Sequence, residues 1–313
     1  MPLDRHAQRL LRMIALSRGG SVASPEDRRR GLEGLRLMAE TPPDPAVVAR
    51  DLSLTGPGGP LGVRLYDADP ASAAPRPALI FFHGGGWVAG DLETHDGLCR
   101  RLALAGGCKL LAVDYRRAPE HRFPAPIEDG LAVARWVAAN ASQLGVDLRR
   151  LGLAGDSAGA GVAAAVAAQL RDRDGPSIAL QLLICPIVDV LHEGASRRDF
   201  SDGYFLDRAT MAADLADYLP PHADPSDPRL SPLREASLIG LPPTLIHAAE
   251  YDPFRDEACA YAERLEAAGV PVRLTVHPGM IHYFYALPRA IPYAFEAATA
   301  IGAQLRAAFA MEC

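Results

Sequence analysis

The stretch LGLAGDSAGAGVAAAV, residues 151–166, joins two local patterns around one serine. Aliphatic residues end at Ala154, as in a buried strand, and an alanine-rich run typical of a helix starts after Ser157. The flanking Gly155 and Gly159 tolerate backbone torsions and close contacts that other residues do not. The pattern predicts that Ser157 lies at a sharp strand-to-helix turn, at the sheet edge where α/β folds bind ligands. A serine that only caps the helix would give the same pentapeptide, so this motif alone leaves both roles open.

Short apolar runs alternate with longer amphipathic runs from about residue 77 onward. The strand-like runs are PALIFF, KLLAVDY, RLGLAG, IALQLLICP, PPTLIHAA and VRLTVH. This alternation predicts an α/β fold, with a mostly parallel sheet covered by helices on both faces. Residues 1–45 and 190–235 contain helical patterns but no strand-like run, which predicts a small helical cap made of two segments. Residues 46–189 and 236–313 would then form the core.

Composition narrows the classes of partner. The chain has 313 residues, 49% hydrophobic and 22% charged, which is typical of a folded domain. A net charge of -6 gives no reason to expect nucleic acid or an anionic membrane as partner, so we expect a small uncharged molecule. No apolar run resembles a signal peptide or a membrane span. The five scattered cysteines suggest neither a disulfide framework nor a zinc site, which favours the cytoplasm. A monomer and a homodimer both remain open.

A second motif lies in PALIFFHGGGWVAGD, residues 77–91, where a strand-like run leads into His83 and three glycines. Consecutive glycines expose backbone N–H groups without a Cβ to block an approaching oxyanion. A phosphate-binding loop would end in Lys-Ser or Lys-Thr, whereas Trp87 follows here. The loop therefore predicts an oxyanion hole, and we interpret His83 as a structural support for it.

A serine nucleophile needs a base, and nine histidines compete for that role. Hydrolases of the α/β class order their members as Ser, acid, His along the chain, so the histidines after the last strand are favoured. His282 lies deeper in that segment than His277, which we interpret as a strut. The neighbours Ile281 and Phe284 are apolar, and we expect them to line a substrate pocket.

The acid that orients the base should follow the preceding strand. The run TLIHAAEYDPFRDE offers Glu250, Asp252, Asp256 and Glu257. Asp252 precedes a proline that fixes the turn, and it is the best placed of the four to stay at the sheet edge. We expect Asp256 and Glu257 to begin the next helix, where acidic residues are favoured. Asp156 is excluded as the orienting acid, because the histidine must lie between acid and serine.

Together these motifs resemble those of a known family. In chain order, HGGGW, DYRRAPEHRFPAP (residues 114–126), GDSAG, AEYDPFRDE and GMIHYF resemble the bacterial hormone-sensitive-lipase-like esterases of the α/β-hydrolase superfamily, over residues 77–285. The resemblance implies an eight-stranded sheet with one antiparallel strand, a helical cap, and ester hydrolysis without metal or cofactor. It assigns Ser157 as nucleophile, His282 as base and Asp252 as its orienting acid. The oxyanion donors it implies are the amides of Gly85, Gly86 and Ala158, while Asp156 and Glu120 match structural positions.

The expected activity is hydrolysis of short- to medium-chain carboxylic esters through an acyl-enzyme. Besides Ile281 and Phe284, we expect Trp87, Tyr204 and Phe205 to line the substrate pocket. An amidase or deacetylase would use the same triad, and a lipase would add a lid that opens at an interface. A small-ligand receptor on this fold would have lost a triad member, whereas all three are present here.

Overall fold

A computed structural model describes residues 1–17, 22–172 and 175–310. One eight-stranded sheet forms its centre, with the strand order β1-β2-β4-β3-β5-β6-β7-β8. The strands are β1 (Val48–Gly56), β2 (Gly59–Asp67), β3 (Arg76–Phe82), β4 (Lys109–Asp114), β5 (Val146–Asp156), β6 (Leu180–Ile184), β7 (Thr244–Tyr251) and β8 (Val272–Ile281). Strand β2 is antiparallel to both of its neighbours, and every other pair is parallel. The expected α/β sheet with one antiparallel strand is confirmed.

The β1–β2 hairpin was not recognised in the sequence, although its pattern is present there. Leu52 and Leu54 alternate with polar residues before a Gly-Pro-Gly-Gly turn, and Leu61, Val63 and Leu65 alternate after it. In the structure Leu54 pairs with Leu61, and both are buried. The hairpin covers one edge of the otherwise parallel sheet.

Helices cover both faces of the sheet, as the alternating pattern predicted. Among the described residues the α-helices are α1 (Arg5–Ser17), α2 (Pro25–Ala39), α3 (Asp96–Gly106), α4 (Ala125–Ala139), α5 (Ala141–Leu144), α6 (Ala158–Arg171), α7 (Ala195–Asp199), α8 (Arg208–Tyr218), α9 (Arg255–Ala267) and α10 (Tyr293–Ala310). One apolar cluster joins α4, α6 and α9 to one face, and a second cluster joins α1, α3 and α10 to the other.

Two chain segments outside the βαβ pattern meet in space. The described part of residues 1–45 contains α1 and α2, residues 190–235 contain α7 and α8, and neither of these described segments contains a strand. Arg28 of α2 forms ion pairs with Asp214 and Asp217 of α8. These contacts join the two segments that the sequence assigned to a cap.

The neighbouring Arg29 ties α2 to the core. Its guanidinium donates to both carboxylate oxygens of Glu120, at 2.9 and 2.6 Å, and to the carbonyl oxygens of Val88 and Ala118. The hydrogen bond from Arg29 lowers the pKa of Glu120 to about 2. Glu120 therefore connects core and α2.

The sequence predicts neither a membrane-spanning segment nor a disulfide framework. Within residues 1–17, 22–172 and 175–310, no helix combines the length and the apolar character needed to cross a bilayer. The four described cysteines, Cys99, Cys108, Cys185 and Cys259, are all free thiols. Cys313 lies outside the described residues.

Candidate active site

Ser157 lies between β5, which ends at Asp156, and α6, which begins at Ala158. Its backbone has φ +53° and ψ -122°, a conformation that non-glycine residues rarely adopt. Two hydrogen bonds hold this turn in place, from the Ser157 amide to the Ile184 carbonyl at 2.8 Å and from the Ile187 amide to the Ser157 carbonyl at 3.1 Å. The strained turn lifts the serine hydroxyl out of the sheet edge.

The glycines around Ser157 permit close backbone contacts. A Cβ on Gly159 would collide with the carbonyl oxygens of Phe82 and His83, at the end of β3. A Cβ on Gly155 would collide with the backbone of Gly159. The first turn of α6 therefore packs directly against the loop that follows β3, which brings the serine and the glycine-rich loop together.

Ser157, His282 and Asp252 form a continuous hydrogen-bonded chain. The Nε2 atom of His282 lies 3.0 Å from the Ser157 Oγ, and its Nδ1 atom lies 2.7 Å from the Asp252 Oδ2. All three side chains are buried, and the ring of Phe254 packs edge-on against His282. This geometry lets Nδ1–H donate to the carboxylate while Nε2 accepts a proton from the serine.

The other three acidic candidates lie elsewhere. Asp252 follows β7 directly, and its second oxygen accepts the amide of Phe254 at 2.8 Å. Glu250 instead accepts the amide of Gly279 at 2.7 Å. Asp256 and Glu257 occupy the first turn of α9, as expected. Only Asp252 among the four is hydrogen-bonded to His282.

The glycine-rich loop after β3 presents backbone donors beside the serine. Gly85 has φ +116° and Gly86 has φ +61°, so both adopt conformations that favour glycine. Their amides donate to no other group among the described residues. The amide of Ala158, the first residue of α6, has no intrahelical acceptor. Three unpartnered N–H groups are therefore available for an oxyanion.

Asp156 connects the serine turn to this loop. One of its oxygens accepts the amide of Gly84 at 2.8 Å, and the other accepts the Tyr285 hydroxyl at 3.0 Å and lies 3.4 Å from His95 Nε2. Burial acts to raise the pKa of Asp156, but His95 and Tyr285 together hold it below its ordinary value. Asp156 is thus an ionised strut between the two motifs.

His83 contacts the glycine-rich loop and Tyr115. Its Nδ1 atom lies 2.9 Å from the Gly84 carbonyl oxygen, and its ring stacks on Tyr115 at 4.1 Å between centroids. The Tyr115 hydroxyl donates in turn to the His83 carbonyl. These contacts fit the structural support that the sequence suggested.

A cleft opens at Ser157. Its lining is mostly apolar and comes from the core and from both α7 and α8. The lining residues are Gly86, Trp87, Ser157, Ile187, Val190, Arg197, Leu206, Met211, Asp214, Leu215 and Phe254. An apolar cleft with a few polar groups is typical of a small-molecule site.

The expected pocket residues are only partly found in this cleft. Trp87 lines it and stacks on Tyr218 of α8, with ring centroids 4.6 Å apart. Ile281 and Phe284 were also expected to line the pocket, but both side chains are fully buried in the apolar cluster on the α3–α10 face of the sheet. They flank His282 in sequence, but neither contributes to the cleft.

Tyr204 and Phe205 are also absent from the lining of the cleft. Tyr204 stacks against Tyr251, with centroids 5.6 Å apart, whereas Phe205 stacks on Tyr283 and lies 6.3 Å from the His282 ring. Both pack against the same cluster that holds Ile281. Phe205 thus shields the histidine rather than forming the cleft wall.

Two charged lining residues were missed in the sequence, Arg197 on α7 and Asp214 on α8. The carboxylate of Asp214 lies so close to Gly86 that a Cβ there would collide with it. Burial raises the pKa of Asp214 to about 7, although Arg28 acts in the opposite direction. Nothing in the local pattern of these polar helices distinguishes an inward-facing charge from a solvated one, so tertiary structure was needed to find them.

Cys185 lies beside the triad, a proximity that its sequence position did not indicate. Ligand atoms of Cys185, Asp252 and His282 all lie within 4.8 Å of one another, which could hold a metal ion. The Asp252 and His282 atoms, however, already share a hydrogen bond of 2.7 Å. Burial raises the pKa of the Cys185 thiol well above its usual value, which disfavours the thiolate that a metal would bind. This donor set fits the triad better than a metal.

Three buried histidines remain neutral in the folded protein. Burial lowers the pKa of His83 and of His247 to about 3 and that of His277 to about 4. The Nε2 atom of His277 lies 3.0 Å from the Nδ1 atom of His247, and its Nδ1 atom lies 3.0 Å from the Tyr293 hydroxyl oxygen. His277 is therefore a strut, in agreement with the sequence interpretation.

These depressed pKa values make folding stability depend on pH. The unfolded state binds a proton at each histidine below about pH 6.5, whereas the folded state does not, so the free energy of unfolding declines as pH falls.

We expect His247→Gln to remove about 1.4 kcal/mol per pH unit from the slope of the unfolding free energy between pH 6 and 5. Urea unfolding at both pH values measures this slope. His222→Gln, at an exposed histidine, should leave it unchanged, and equal slopes in all three proteins would contradict neutral burial of His247.

A family model described as the alpha/beta hydrolase fold matches residues 79–286. Two relatives illustrate the similarity in sequence. An esterase of Mycobacterium tuberculosis, LipI, is 40% identical over 267 residues, which cover 84% of this chain and 83% of that protein. The ethyl acetate hydrolase of Pseudomonas putida is 39% identical, over 93% of this chain and 91% of that protein.

Solved structures show the same similarity. An ester hydrolase from the metagenome of Lake Arreo, in complex with a phosphonate derivative, superposes with a TM-score of 0.93 at 39% identity, over 99% of this chain and 100% of that chain. The esterase of Pyrobaculum calidifontis gives a TM-score of 0.89 at 36% identity, over 98% of this chain and 99% of that chain. The likeness thus spans the whole described chain.

Proposed function

This chain belongs to the hormone-sensitive-lipase-like esterases of the α/β-hydrolase superfamily, and we propose that it is a serine carboxylesterase acting on short- to medium-chain esters. The observation that carries the proposal is the hydrogen-bonded chain from Ser157 through His282 to Asp252, which opens on an apolar cleft. The relatives named as esterases support the same reaction class.

The proposed mechanism follows from this geometry. His282 Nε2, 3.0 Å from the hydroxyl, takes the serine proton as Oγ attacks the ester carbonyl. Asp252 fixes the histidine tautomer and stabilises the imidazolium ion that forms. The amides of Gly85, Gly86 and Ala158 donate to the oxyanion. His282 then returns the proton to the leaving alcohol, and water repeats the sequence on the acyl-enzyme.

The cleft limits the length of the substrate. Its apolar lining should gain about 0.8 kcal/mol, or about fourfold in kcat/KM, for each methylene that it buries. Once the chain reaches the wall, extra methylenes clash or stay in water, so added length no longer helps. We expect kcat/KM for 4-nitrophenyl esters from C2 to C16 to peak at about C4 to C8 and to fall steeply by C12.

A matched pair of variants tests whether this cleft sets the length. Leu215→Ala enlarges the cleft and should move the optimum to longer chains, whereas Leu191→Ala, at an exposed side chain, should not.

A 4-nitroanilide and an emulsified long-chain ester, added to the substrates, test for amidase and lipase activity. Faster turnover of the anilide would indicate an amidase, and activity confined to the emulsion would indicate a lipase. Retention of activity in EDTA is expected, since the mechanism uses no metal.

We propose further that the substrate is a small uncharged ester and that the protein works in the cytoplasm. A small uncharged ester fits a cleft whose walls are mainly apolar. The free thiols of the four described cysteines support the reducing cytoplasm as the location. Size-exclusion chromatography would distinguish a monomer from a homodimer.

A further inference from the structure

Two charged side chains interrupt the apolar walls of the Ser157 cleft, Arg197 on α7 and Asp214 on α8. Removing a charged group from water costs free energy unless other groups bind it. The Arg197 side chain is only 15% exposed and is therefore largely removed from solvent. Its placement in a substrate cleft calls for a physical reason.

Arg197 is firmly held but incompletely hydrogen-bonded. Its Nη2 atom donates to Glu257 at 2.7 Å, its Nη1 atom lies 3.7 Å from the Met211 sulfur, and its Cζ lies 4.6 Å from the Phe254 ring centroid. Its Nε is buried and has no hydrogen-bond partner among the described residues. Because a guanidinium carries five N–H donors, Arg197 retains donors that these partners do not use.

The surrounding charges favour a neutral acceptor over an anion. Glu257 is fully buried and also accepts the amides of Val188 and Asp189, so its carboxyl group is held in place 2.7 Å from the Arg197 guanidinium. Asp214 adds a second carboxyl to the same cleft. A substrate carboxylate would face this acidic group, whereas an ether or carbonyl oxygen could accept from Arg197 without adding charge.

We propose that Arg197 is a specificity-determining residue that donates a hydrogen bond to a neutral oxygen in the part of the substrate that fills the cleft. The preferred substrates are then esters with a second oxygen acceptor, such as an ether or ketone oxygen, over purely alkyl esters of equal length. This inference rests on the proposed function, because it takes the cleft at Ser157 as the ester site.

Isosteric ester pairs test the inference directly. The acyl pair is 4-nitrophenyl 4-methoxybutanoate and 4-nitrophenyl hexanoate, and the alcohol pair is 2-methoxyethyl acetate and butyl acetate. In each pair an oxygen replaces one methylene, so the ratio of kcat/KM values isolates that atom. In at least one pair, we expect Arg197→Met to lower the ether-to-alkyl ratio about tenfold, the effect of one hydrogen bond to a charged donor.

Matched variants separate recognition from folding. Arg197→Met leaves Glu257 buried without its cation, so the double variant Arg197→Met/Glu257→Gln keeps the cleft free of unbalanced charge. Both should show the same loss in the ratio. Arg198→Met is the control, because Arg198 is exposed, its guanidinium donates to the Glu193 carbonyl, and neither residue lines the cleft. Its ratio should equal that of the unaltered enzyme.

Two results would overturn the inference, and a third would overturn the proposed function on which it rests. Ratios that stay within twofold of the unaltered enzyme in both pairs, for both variants, would show that Arg197 contacts no substrate oxygen. A preference for 4-nitrophenyl hydrogen glutarate over the ether, lost in Arg197→Met, would show instead that the residue binds an anion. Failure to hydrolyse any ester would overturn the proposed function itself, which is a distinguishable outcome.

Discussion

Replacement of Ser157 by Ala should lower kcat for 4-nitrophenyl butanoate by roughly 10³-fold or more, because only the oxyanion donors and substrate binding would remain. The turn should persist, since its two backbone hydrogen bonds do not involve the hydroxyl. Steady-state kinetics measure the loss, and thermal unfolding reports whether the fold is retained. Near-normal turnover by a folded Ser157→Ala protein would contradict the whole functional proposal.

Labelling with an alkyl fluorophosphonate, which phosphonylates a nucleophilic serine with loss of fluoride, tests the same residue independently. The reagent should label the unaltered protein once, at Ser157, and peptide mass spectrometry would locate the adduct. The Ser157→Ala protein should remain unlabelled. Ser142→Ala removes a serine that lies in the short helix α5, away from the cleft, and should be labelled as fast as the unaltered protein.

The motifs at the active site could be recognised from the sequence because each has a local physical cause. A strand, two glycines and a helix around Ser157 define a sharp turn whatever the rest of the chain does. The same holds for the loop after β3 and for Asp252, which follows β7 directly. Strand ends meet at one edge of a parallel sheet, so the chain order was enough to bring these groups together.

The walls of the cleft could not be predicted in the same way. Ile281 and Phe284 flank His282, but side chains next to one another in sequence point in different directions, and these two enter the core. Arg197 and Asp214 belong to polar helices, where the sequence does not show which face turns inward. Their positions depend on how α7 and α8 pack against the core, and long-range packing leaves no local pattern.

We propose that Asp252 orients His282, and its replacement by Asn should lower kcat by about 10⁴-fold. Asn can accept the Phe254 amide as Asp does, so the turn should be kept. Its neutral amide, however, no longer stabilises the imidazolium ion and can donate to Nδ1, which would leave a proton on Nε2. His282 could then no longer accept the serine proton.

Two neighbouring carboxylates supply the controls for Asp252. Glu250→Gln removes a carboxylate that accepts a hydrogen bond from the Gly279 amide. Asp256→Asn removes one that accepts a hydrogen bond from the Ser196 amide. Neither carboxylate contacts His282, so we expect each variant to keep kcat within about tenfold of the unaltered enzyme, a modest loss compared with that of a triad member. The three kcat values, measured with one substrate at one pH, decide the assignment. If Glu250→Gln were the slow variant and Asp252→Asn the fast one, the orienting acid would be Glu250, although the esterase function would stand.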